Sequence, residues 1–323
     1  MSRVLITGAT GFVGSRIAAA YAATDCELRC TVRASSDTRW IEDTRAELVE
    51  ADVTDTGALR EALEGVSLVV HGAGVTSAPS EDVFYEVNTE GTLNLAKAAA
   101  EAGVERFVFI SSLAARGPDR EGAEAGSEAP DAPESVYGMS KLAAEERLRG
   151  FTDELDVTVL RPGGVYGPRD EDVLLLFQMA ERGFLILPST DGVLQPVYVG
   201  DVARVALLAG ERNAGFGPYP VVEENRYDWD GVAGALEEAV GRSLRVYRLS
   251  PRLLVGAAAV IEGGARLLGR APEFDRRRAR DLAVHRWTAD PTPTERALGW
   301  TPQVALPEGA ARTVRWYRKH GWL

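Results

Sequence analysis

Short runs of aliphatic residues alternate with longer amphipathic stretches through about the first half of the chain. The aliphatic runs predict strands in RVLITG (3–8), ELRCTVR (27–33), AELVEAD (46–52), SLVVHGAG (67–74), RFVFISS (106–112) and DVTVLRP (156–162). The amphipathic stretches predict helices from about Phe12 to Ala23, over 84–103 and over 137–150. Continuous Val/Ile/Leu strands that alternate with helices are typical of a parallel sheet covered on both faces. With right-handed crossovers, they predict an α/β fold with a doubly wound parallel sheet.

The hydrophobic pattern changes after Gly167. Residues 169–195 have a mixed pattern, 196–222 return to a strand followed by a helix, and 223–323 are rich in helical pattern. We therefore predict that 1–168 form a larger domain, to which 196–222 return. The segments 169–195 and 223–323 would then form a smaller, helix-rich domain.

Three glycines lie between the first predicted strand and the first predicted helix, in VLITGATGFVG. Gly8, Gly11 and Gly14 follow a G-x-x-G-x-x-G spacing and not the G-x-G-x-x-G of the general dinucleotide fingerprint. Backbone without side chains can approach a pyrophosphate closely here, and the helix N-terminus supplies free N–H groups and a positive dipole end. We predict that a dinucleotide binds through Gly8, Thr10, Gly11, Phe12, Val13 and Gly14.

The end of the second predicted strand, TVRASSD, bears on the choice between NAD and NADP. An acidic residue at this point would bind the ribose hydroxyls of NAD. Arg33 stands there instead, and its guanidinium, helped by Ser35 or Ser36, favours the extra 2′-phosphate of NADP. Asp37 follows four residues later and leaves NAD as the alternative cofactor.

Asp52 and Val53 follow the third predicted strand, where they are placed to meet the adenine ring. Asp52 has a second interpretation, because aspartate often caps the first turn of a helix. The sequence leaves both interpretations open.

The composition bears on partners and location. A net charge of −12 disfavours nucleic acid and anionic membrane surfaces. No basic-then-apolar segment opens the chain, so we expect a cytoplasmic protein. Residues 117–135 are rich in Gly, Pro and acidic side chains, which predicts an exposed loop. The stretch LLVGAAAVIEGGARLLG (253–269) contains Glu262 and Arg266 and is too short and too charged to span a bilayer. We interpret it as a helix that covers a substrate pocket, with a membrane-surface helix as the alternative.

The cysteines and histidines do not form a recognisable metal or redox motif. Cys26 and Cys30 have three residues between them, which is neither a zinc spacing nor a redox C-x-x-C, so we expect reduced thiols in the core. His71, His285 and His320 are scattered, and we predict no metal site.

Further segments follow the glycine loop in a recognisable order. They are HGAG (71–74), FISSLAARG (109–117), YGMSK (137–141) and RPGGVYGP (161–168). Together with the glycine loop, they resemble the motifs of the extended short-chain dehydrogenase/reductases, which are NAD(P)-dependent epimerases, dehydratases and hydroxysteroid- or flavonol-type reductases. LGWTP and WYRKHGWL near the C-terminus extend the resemblance over nearly the whole chain. It implies a Rossmann dinucleotide-binding domain, a smaller substrate-binding domain, and cofactor contacts from Ala73, Pro162 and Val165.

The family's catalytic groups correspond to Ser112, Tyr137 and Lys141. A phenol with an ordinary pKa near ~10 is a poor base at neutral pH, but an ammonium one helical turn away and a positive nicotinamide ring favour the phenolate. Tyr137 would exchange a proton with the substrate oxygen while hydride passes to or from the nicotinamide. Lys141 would also hold the nicotinamide ribose, and Ser112 would orient the reacting oxygen. Asn88 matches a further family position, for which helix packing is the alternative role.

One departure from the family pattern disfavours dehydration. Family dehydratases carry an Asp-Glu pair just after the serine, where this chain has Leu113 and Ala114, and neither side chain can exchange a proton. The apolar segment VLLLFQMAERGFLILP (173–188) would suit a hydrophobic or small hydroxy/keto substrate, or it could simply belong to the core.

A second departure weakens a nucleotide-sugar substrate. Nucleotide-sugar epimerases place an asparagine in the RPxNVYGP motif and an arginine before a later strand, and both hold the sugar diphosphate. This chain has Gly164 at the first position and Leu194 followed by Gln195 at the second. Arg169 or Arg182 could still supply positive charge from elsewhere.

Three functions remain in view from the sequence. We favour an NADP-dependent oxidoreductase that interconverts a secondary alcohol and a ketone of a small-molecule substrate. The alternative is an NAD-dependent sugar epimerase that retains its cofactor, and the third is a non-catalytic dinucleotide-binding protein, a class that typically loses the Tyr or the Lys. The predicted helices around 84–102 and 137–150 resemble those that form a four-helix dimer interface in the family, so we expect a homodimer.

Overall fold

The structure is a computed structural model that describes residues 2–119, 130–267 and 286–323. Its strands are β1 (Arg3–Thr7), β2 (Glu27–Val32), β3 (Glu47–Glu50), β4 (Leu68–His71), β5 (Arg106–Ile110), β6 (Asp156–Pro162), β7 (Val165–Tyr166), β8 (Phe184–Pro188), β9 (Val193–Leu194), β10 (Val197–Tyr198), β11 (Tyr219–Val221), β12 (Tyr227–Asp228), β13 (Arg245–Leu249) and β14 (Arg286–Trp287).

The α-helices are α1 (Phe12–Ala22), α2 (Thr56–Ala62), α3 (Glu81–Phe84), α4 (Gly91–Glu101), α5 (Val136–Leu148), α6 (Leu174–Glu181), α7 (Val199–Glu211), α8 (Trp229–Val240), α9 (Pro251–Leu267), α10 (Thr292–Leu298) and α11 (Leu306–Lys319). A π-helical segment, Tyr85–Glu90, joins α3 to α4. Short 3₁₀ helices span Glu42–Thr44, Leu113–Ala115 and Arg149–Phe151.

Seven of the described strands form one sheet in the order β3-β2-β1-β4-β5-β6-β11. Every neighbouring pair is parallel. The chain order reverses between β1 and β4, and in such sheets ligands bind in the crevice at the carboxyl ends of the strands, next to that reversal. The doubly wound parallel sheet predicted from the sequence is confirmed.

Alternating side chains of the sheet enter two separate cores. On one face, Val4 and Ile6 of β1 pack in the cluster that contains Ile17 of α1. On the other face, Leu5 packs in the cluster that contains Leu95 of α4. Because both faces are buried, the central strands are continuously apolar, which explains the uninterrupted aliphatic runs of the sequence.

The later part of the chain builds a third core from α6, α8, α11 and β8. Strand β8 pairs with β13, β7 pairs with β10, and β9 pairs with β12 and β14. Strand β11 lies within residues 196–222 and pairs with β6, with Tyr219 opposite Leu160, so this segment adds a strand to the main sheet. The third core stands beside the carboxyl edge of that sheet and supplies the outer walls of the cavity described below.

One element differs from the sequence prediction. The single helix predicted over 84–103 begins at Glu81 and is interrupted by the π-helical segment, where the buried side chain of Asn88 engages the chain near Val75. π-Helical turns of this kind frequently occur at functional sites. Residues 120–129 of the predicted loop 117–135 lie outside the described residues.

Candidate active site

The glycine loop after β1 has no room for side chains at two of its glycines. Gly8 has φ +71°, and a Cβ there would lie 2.6 Å from the amide nitrogen of Ala73. A Cβ on Gly14 would lie 2.1 Å from the carbonyl oxygen of Gly8. The backbone of β1, its loop and α1 therefore pack in direct contact, as a pyrophosphate-binding loop requires.

The N-terminus of α1 presents unpaired donors. Gly11 is the N-cap and supplies no side-chain oxygen, and the first helical hydrogen bond runs from the Ser15 amide to the Gly11 carbonyl at 2.9 Å. The amides of Phe12, Val13 and Gly14 therefore lack partners within the helix. This arrangement fits the pyrophosphate of a dinucleotide, because the free amides and the helix dipole both favour an anion. Thr10 lies half-buried in the same loop.

The side chains that follow β2 differ in whether they are paired within the protein. The exposed side chain of Arg33 makes no hydrogen bond or ion pair with any residue that the structure describes. The Ser36 hydroxyl accepts a hydrogen bond from the Arg33 amide at 2.9 Å, which closes the turn and leaves the hydroxyl proton available. Asp37 is paired with Arg39, whose hydrogen bond lowers the pKa of the Asp37 carboxyl.

Asp52 does not cap α2. Its carboxylate accepts hydrogen bonds from the amide and the hydroxyl of Thr54, at 2.9 and 2.8 Å. Asp55 is the cap, since it accepts from the amides of Gly57 and Ala58 at 3.0 and 3.1 Å. The capping interpretation of Asp52 is therefore wrong.

Val53 is buried beside α4. A Cβ placed on Gly91 would meet its Cγ2 at 2.5 Å, so the two elements are in close contact here. Its carbonyl accepts from Asn94 at 3.3 Å. The Val53 side chain thus packs against α4. Its contact with the adenine ring of a dinucleotide stays a prediction.

Ser112 directly follows β5 at the start of a 3₁₀ helix. Its hydroxyl oxygen accepts a hydrogen bond from the Ala114 amide at 3.1 Å, which leaves the hydroxyl proton available to a substrate oxygen. Helix α5, which carries Tyr137, packs close to this segment because residue 138 is glycine. A Cβ on Gly138 would lie 2.2 Å from the Ala114 carbonyl oxygen. The glycine of YGMSK is therefore a packing requirement that the motif alone did not reveal.

Lys141 is buried one turn after Tyr137 on α5. Its ammonium group donates to the Ile110 carbonyl at 3.0 Å and lies 4.7 Å from the ring centre of Phe109. Burial lowers the pKa of Lys141 to about 8, and the charge of Glu145 opposes that shift. A charged lysine is thus held at a fixed point behind the cavity wall.

The side chain of Asn88 holds together two segments of the chain near Lys141. Its side-chain oxygen accepts from the Val75 amide at 2.7 Å, and its nitrogen donates to the Val75 carbonyl and the Ser140 hydroxyl, both at 3.0 Å. Asn88 thus joins the loop after β4 to α5, which matches the packing role.

A buried ionic network lies beneath the site. Arg161 pairs with Glu145 on α5 and with Asp131, and the Ser111 hydroxyl donates to Glu145. The network joins β5, β6, α5 and the chain near residue 131. The sequence gave no indication of Glu145, which is an ordinary polar residue of a helical pattern.

His71 is buried in a chain of hydrogen bonds. The Ala73 amide donates to the Thr7 hydroxyl at 3.2 Å, and that hydroxyl donates to Nδ1 of His71 at 2.6 Å. Nε2 of His71 donates to Thr92 at 2.8 Å, because the Thr92 proton is used on the Asn88 carbonyl at 2.7 Å. Burial lowers the pKa of His71 to about 3, so the ring is neutral at physiological pH.

A cavity of about 470 Å³ opens between the carboxyl edge of the main sheet and the third core. One wall contains Ser112 and Tyr137, together with Thr76 and Ser135. The other walls are largely apolar and comprise Val173, Leu176, Phe177, Leu194, Trp229, Val232, Leu236, Trp287 and Leu306. Of the predicted cofactor residues Ala73, Pro162 and Val165, the last lines this cavity, while Ala73 lies against Gly8 and Pro162 ends β6.

The cavity carries little positive charge. Among its described lining residues, Asp172 is the one charged side chain, and it is acidic. The side chain of Gln195 is used in binding backbone, since it donates to the Glu223 carbonyl and accepts from the Ala289 amide, both at 2.8 Å. Arg169 contacts Ser15 and stacks on the ring of Trp40, outside the cavity lining.

The structure also bears on Arg182 and on the helix that was predicted to cover the substrate pocket. Neither Arg182 nor any described side chain of α9 (251–259) lines the cavity, so α9 does not cover it through those residues.

Cys26 and Cys30 are free thiols, and burial raises the pKa of Cys30 to about 12, which keeps it protonated. No group of three His, Cys, Asp or Glu in the described ranges is arranged to hold a metal ion. The helices described in this structure include none long and apolar enough to cross a membrane.

Comparison with known proteins places this geometry in a family. The model of the NAD dependent epimerase/dehydratase family matches residues 4–222. Ceramide reductase of Caulobacter vibrioides is 31% identical over 324 residues, with 99% of this chain and 96% of that protein covered. Sterol demethylase protein B of Methylococcus capsulatus is 30% identical over 338 residues, with 99% of each covered.

A solved structure shows the same architecture with a cofactor in place. UDP-glucose 4-epimerase of Thermus thermophilus, in complex with NAD, is 28% identical, with a TM-score of 0.77 and with 98% of this chain and 99% of that chain covered. Similarity to both reductases and epimerases runs over the whole length of the chain. This protein belongs to the NAD-dependent epimerase/dehydratase family and is an NAD(P)-dependent enzyme of the extended short-chain dehydrogenase/reductase type.

Proposed function

We propose that the protein is an NADP-dependent oxidoreductase that interconverts a secondary alcohol and a ketone on an apolar substrate. The cavity carries this proposal, because Ser112 and Tyr137 line one wall and the remaining walls are mainly aliphatic and aromatic. Its volume of about 470 Å³ suits a small molecule. Two relatives support an apolar substrate, since ceramides and sterols, which their names contain, are lipids.

A nucleotide-sugar substrate fits the same cavity poorly. A diphosphate needs cations or several donors to replace its hydration. The described lining offers no Lys or Arg to pair with a diphosphate. Gly164 and Leu194 stand where the epimerases carry polar anchors, so the epimerase, though favoured by the fold similarity, is the second candidate.

Tyr137 is the proposed proton donor and acceptor. When bound, the nicotinamide supplies or accepts the hydride. In the reductive direction the Tyr137 hydroxyl gives its proton to the carbonyl oxygen as the carbonyl carbon receives the hydride, and a secondary alcohol results. In the oxidative direction the phenolate takes the hydroxyl proton.

Lys141 and Ser112 support this proton transfer from opposite sides. The buried ammonium of Lys141, held by the Ile110 carbonyl, favours the phenolate form of a tyrosine one turn away. Ser112 retains its hydroxyl proton for the substrate oxygen, because its oxygen accepts from the Ala114 amide. Lys141 would also donate to the nicotinamide ribose.

Arg33 supports NADP over NAD. Its exposed guanidinium has no protein partner among the described residues, whereas Asp37, the acidic alternative, is paired with Arg39. Ser36 can add a hydroxyl donor to the same phosphate. Asp52, Val53, Ala73 and Pro162 are the further proposed contacts along the crevice.

The proposed assembly is a homodimer. Tyr85, just before α4, and Met139, on α5, expose large apolar side chains. A second copy that packs its own α4 and α5 against them would remove this apolar surface from water.

The test compares two assays on the purified protein. NADPH consumption is followed with apolar ketones, including sterol and ceramide-type ketones, and the interconversion of UDP-glucose and UDP-galactose is followed separately. We expect one NADPH to be consumed for each ketone reduced and no epimerisation. Sugar interconversion with tightly retained NAD and no net cofactor consumption would overturn the proposal in favour of the epimerase.

A further inference from the structure

Among the described residues, half of the exposed large apolar side chains lie on two consecutive elements, β13 and α9. The exposed large apolar side chains in the described ranges are Leu48, Tyr85, Met139, Val246, Tyr247 and Leu253. The last three lie on β13 and on the first turn of α9, with exposed fractions of 38%, 52% and 62%. We call this region, residues 245–257, the β13–α9 surface. Contiguous apolar exposure of this kind marks an interaction site.

The segment 253–259 of helix α9 is apolar on its exposed side as well as on its buried side. Leu254 and Ala258 pack against Ile186 of β8. Leu253 and Ala257 are exposed, and the stretch LLVGAAA that contains all four positions has no polar side chain. A helix that is apolar around its circumference belongs either in a core or in lipid. Here about half of that circumference faces outward.

The charged groups of this surface are basic. Arg245 and Arg252 are exposed, and their side chains make no hydrogen bond or ion pair with a described residue. Arg248 lies between them and pairs with Asp230 of α8. No acidic residue occurs in residues 239–261, although the chain as a whole has a net charge of −12. The surface is therefore a local basic and apolar region on an acidic protein.

We propose that the β13–α9 surface docks onto an anionic lipid bilayer. Leu253 and Tyr247 would enter the interfacial region, with the tyrosine hydroxyl at the level of the lipid headgroups. Arg245, two residues before Tyr247 on the same face of β13, and Arg252 would contact lipid phosphates. Basic residues around exposed apolar side chains match an anionic bilayer, because the cations pair with lipid phosphates while the apolar side chains enter the interface.

This proposal departs from the expectation drawn from net charge. Charges in solution are screened beyond about 8 Å at physiological ionic strength, so acidic residues on distant parts of the molecule contribute little at this surface. The side chains of Arg245 and Arg252, which have no described partner, therefore dominate the electrostatic potential at this surface. Net charge describes the whole chain, whereas docking depends on the charges of the surface that meets the bilayer.

The surface also adjoins the walls of the cavity. Ile186 packs both against α9 and against the third core, which contains the cavity residues Phe177 and Trp229. A docked bilayer would therefore lie on the same part of the molecule that encloses the substrate. The proposal nevertheless rests on the surface alone and not on the proposed reaction.

The experiment is a flotation assay of the full-length protein with vesicles of phosphatidylcholine and with vesicles that also contain phosphatidylglycerol. We expect binding to the anionic vesicles that weakens with added salt. Arg245→Gln with Arg252→Gln should weaken that binding on the order of 30-fold, from about 1 kcal/mol for each arginine. Leu253→Glu should also reduce it. Leu48→Glu, at a leucine 46% exposed on β3, is the matched control and should bind as the unchanged protein does.

Three results would overturn the proposal. They are no flotation with anionic vesicles, equal flotation of the Leu253 and Leu48 variants, and a change of oligomeric state in sedimentation caused by Leu253→Glu without a change in flotation, which would assign the surface to a second copy of the chain. Thermal unfolding checks that the variants fold, which the exposure of all the altered side chains favours. The assay needs neither cofactor nor substrate, so its outcome is independent of the outcome for the proposed reaction.

Discussion

The cofactor side and the substrate side of the crevice are built in different ways. The cofactor side consists of short contiguous segments at the carboxyl ends of adjacent parallel strands, such as the loop Gly8–Gly14 after β1 and Ser112 after β5. The substrate side is assembled from α6, α8, β14 and the start of α11, which are far apart in the second half of the chain.

The two sides also differ in what limits substitution. At Gly8, Gly14 and Gly138 an added Cβ would lie within 2.1 to 2.6 Å of backbone, so even one carbon is excluded. Along the apolar walls the requirement is volume and hydrophobicity, which related side chains can meet. This contrast is consistent with similarity to proteins whose names differ as much as ceramide reductase and UDP-glucose 4-epimerase.

The largest expected effect is on the cofactor side, at Tyr137. Tyr137→Phe removes the hydroxyl that exchanges the proton and should lower kcat by about 10²- to 10⁴-fold, with NADPH affinity unchanged within a few-fold. Steady-state kinetics and calorimetric titration measure the two quantities. Tyr85→Phe, at an exposed tyrosine before α4, is the control and should retain full activity. Equal kcat values for the two variants would remove Tyr137 from the chemistry.

The second prediction separates stability from function at Lys141. Its pKa is lowered to about 8 in the folded protein, so between pH 8 and its ordinary value of 10.5 the unfolded chain binds more protons than the folded one. Its contribution to stability is therefore present above pH 10.5 and is lost as the pH falls to 8, by about 3 kcal/mol in total. Lys141→Met should abolish this contribution and also most of the activity.

Urea unfolding at a series of pH values measures the Lys141 effect as the difference between the unchanged protein and the variant. Lys97→Met, at an exposed lysine of α4, is the matched control and should give a curve parallel to that of the unchanged protein. A Lys141→Met curve that is also parallel would show that the lysine titrates as it does in water.

The third prediction contrasts two glycines. Gly14→Ala places a carbon 2.1 Å from the Gly8 carbonyl and should cost about 1–3 kcal/mol of unfolding free energy, with weaker dinucleotide binding. Gly234→Ala, in α8 with no atom within 4 Å of the added carbon, should instead stabilise by roughly 0.5–1 kcal/mol. Urea unfolding measures both changes in unfolding free energy. If both substitutions changed it in the same direction, the close packing of the glycine loop would be contradicted.

The fourth prediction concerns Arg33 and cofactor choice. Arg33→Ala removes a charge-assisted contact and should weaken NADP⁺ binding about tenfold or more, while NAD⁺ binding stays nearly constant. Isothermal titration with each dinucleotide measures the change, and Arg39→Ala serves as the neighbouring control. Equal losses for both dinucleotides would mean that Arg33 does not read the 2′-phosphate.

The smallest expected effect on stability is on the substrate side. Leu176→Val removes one methylene from a partly buried cavity wall and should lower the unfolding free energy by about 1 kcal/mol or less. It should shift the kcat/KM ratio between ketones that differ by one methylene by about tenfold, as hydrophobic pockets generally allow. An unchanged ratio would place Leu176 outside the substrate contacts.

The sequence by itself determined the features that depend on local periodicity and on the chemistry of single residues. The aliphatic runs predicted the parallel sheet, because strands buried on both faces must be continuously apolar. The spacing of Gly8, Gly11 and Gly14 predicted the loop that the structure places at the N-terminus of α1. Ser112, Tyr137 and Lys141 were found through family motifs, and the structure brings them to the carboxyl edge of the sheet.

The tertiary structure alone decided the features that depend on residues distant in sequence. Gly138 matters because Ala114 lies against it, and Glu145 matters because β6 brings Arg161 to it. Asp55, three residues after Asp52, caps α2, because the helix begins later than the pattern indicated. For the apolar segments 173–188 and 253–269 the sequence left alternatives open, because a run of apolar residues has the same pattern whether it faces a core, a cavity or the outside. Only packing assigns each side of such a run to its environment.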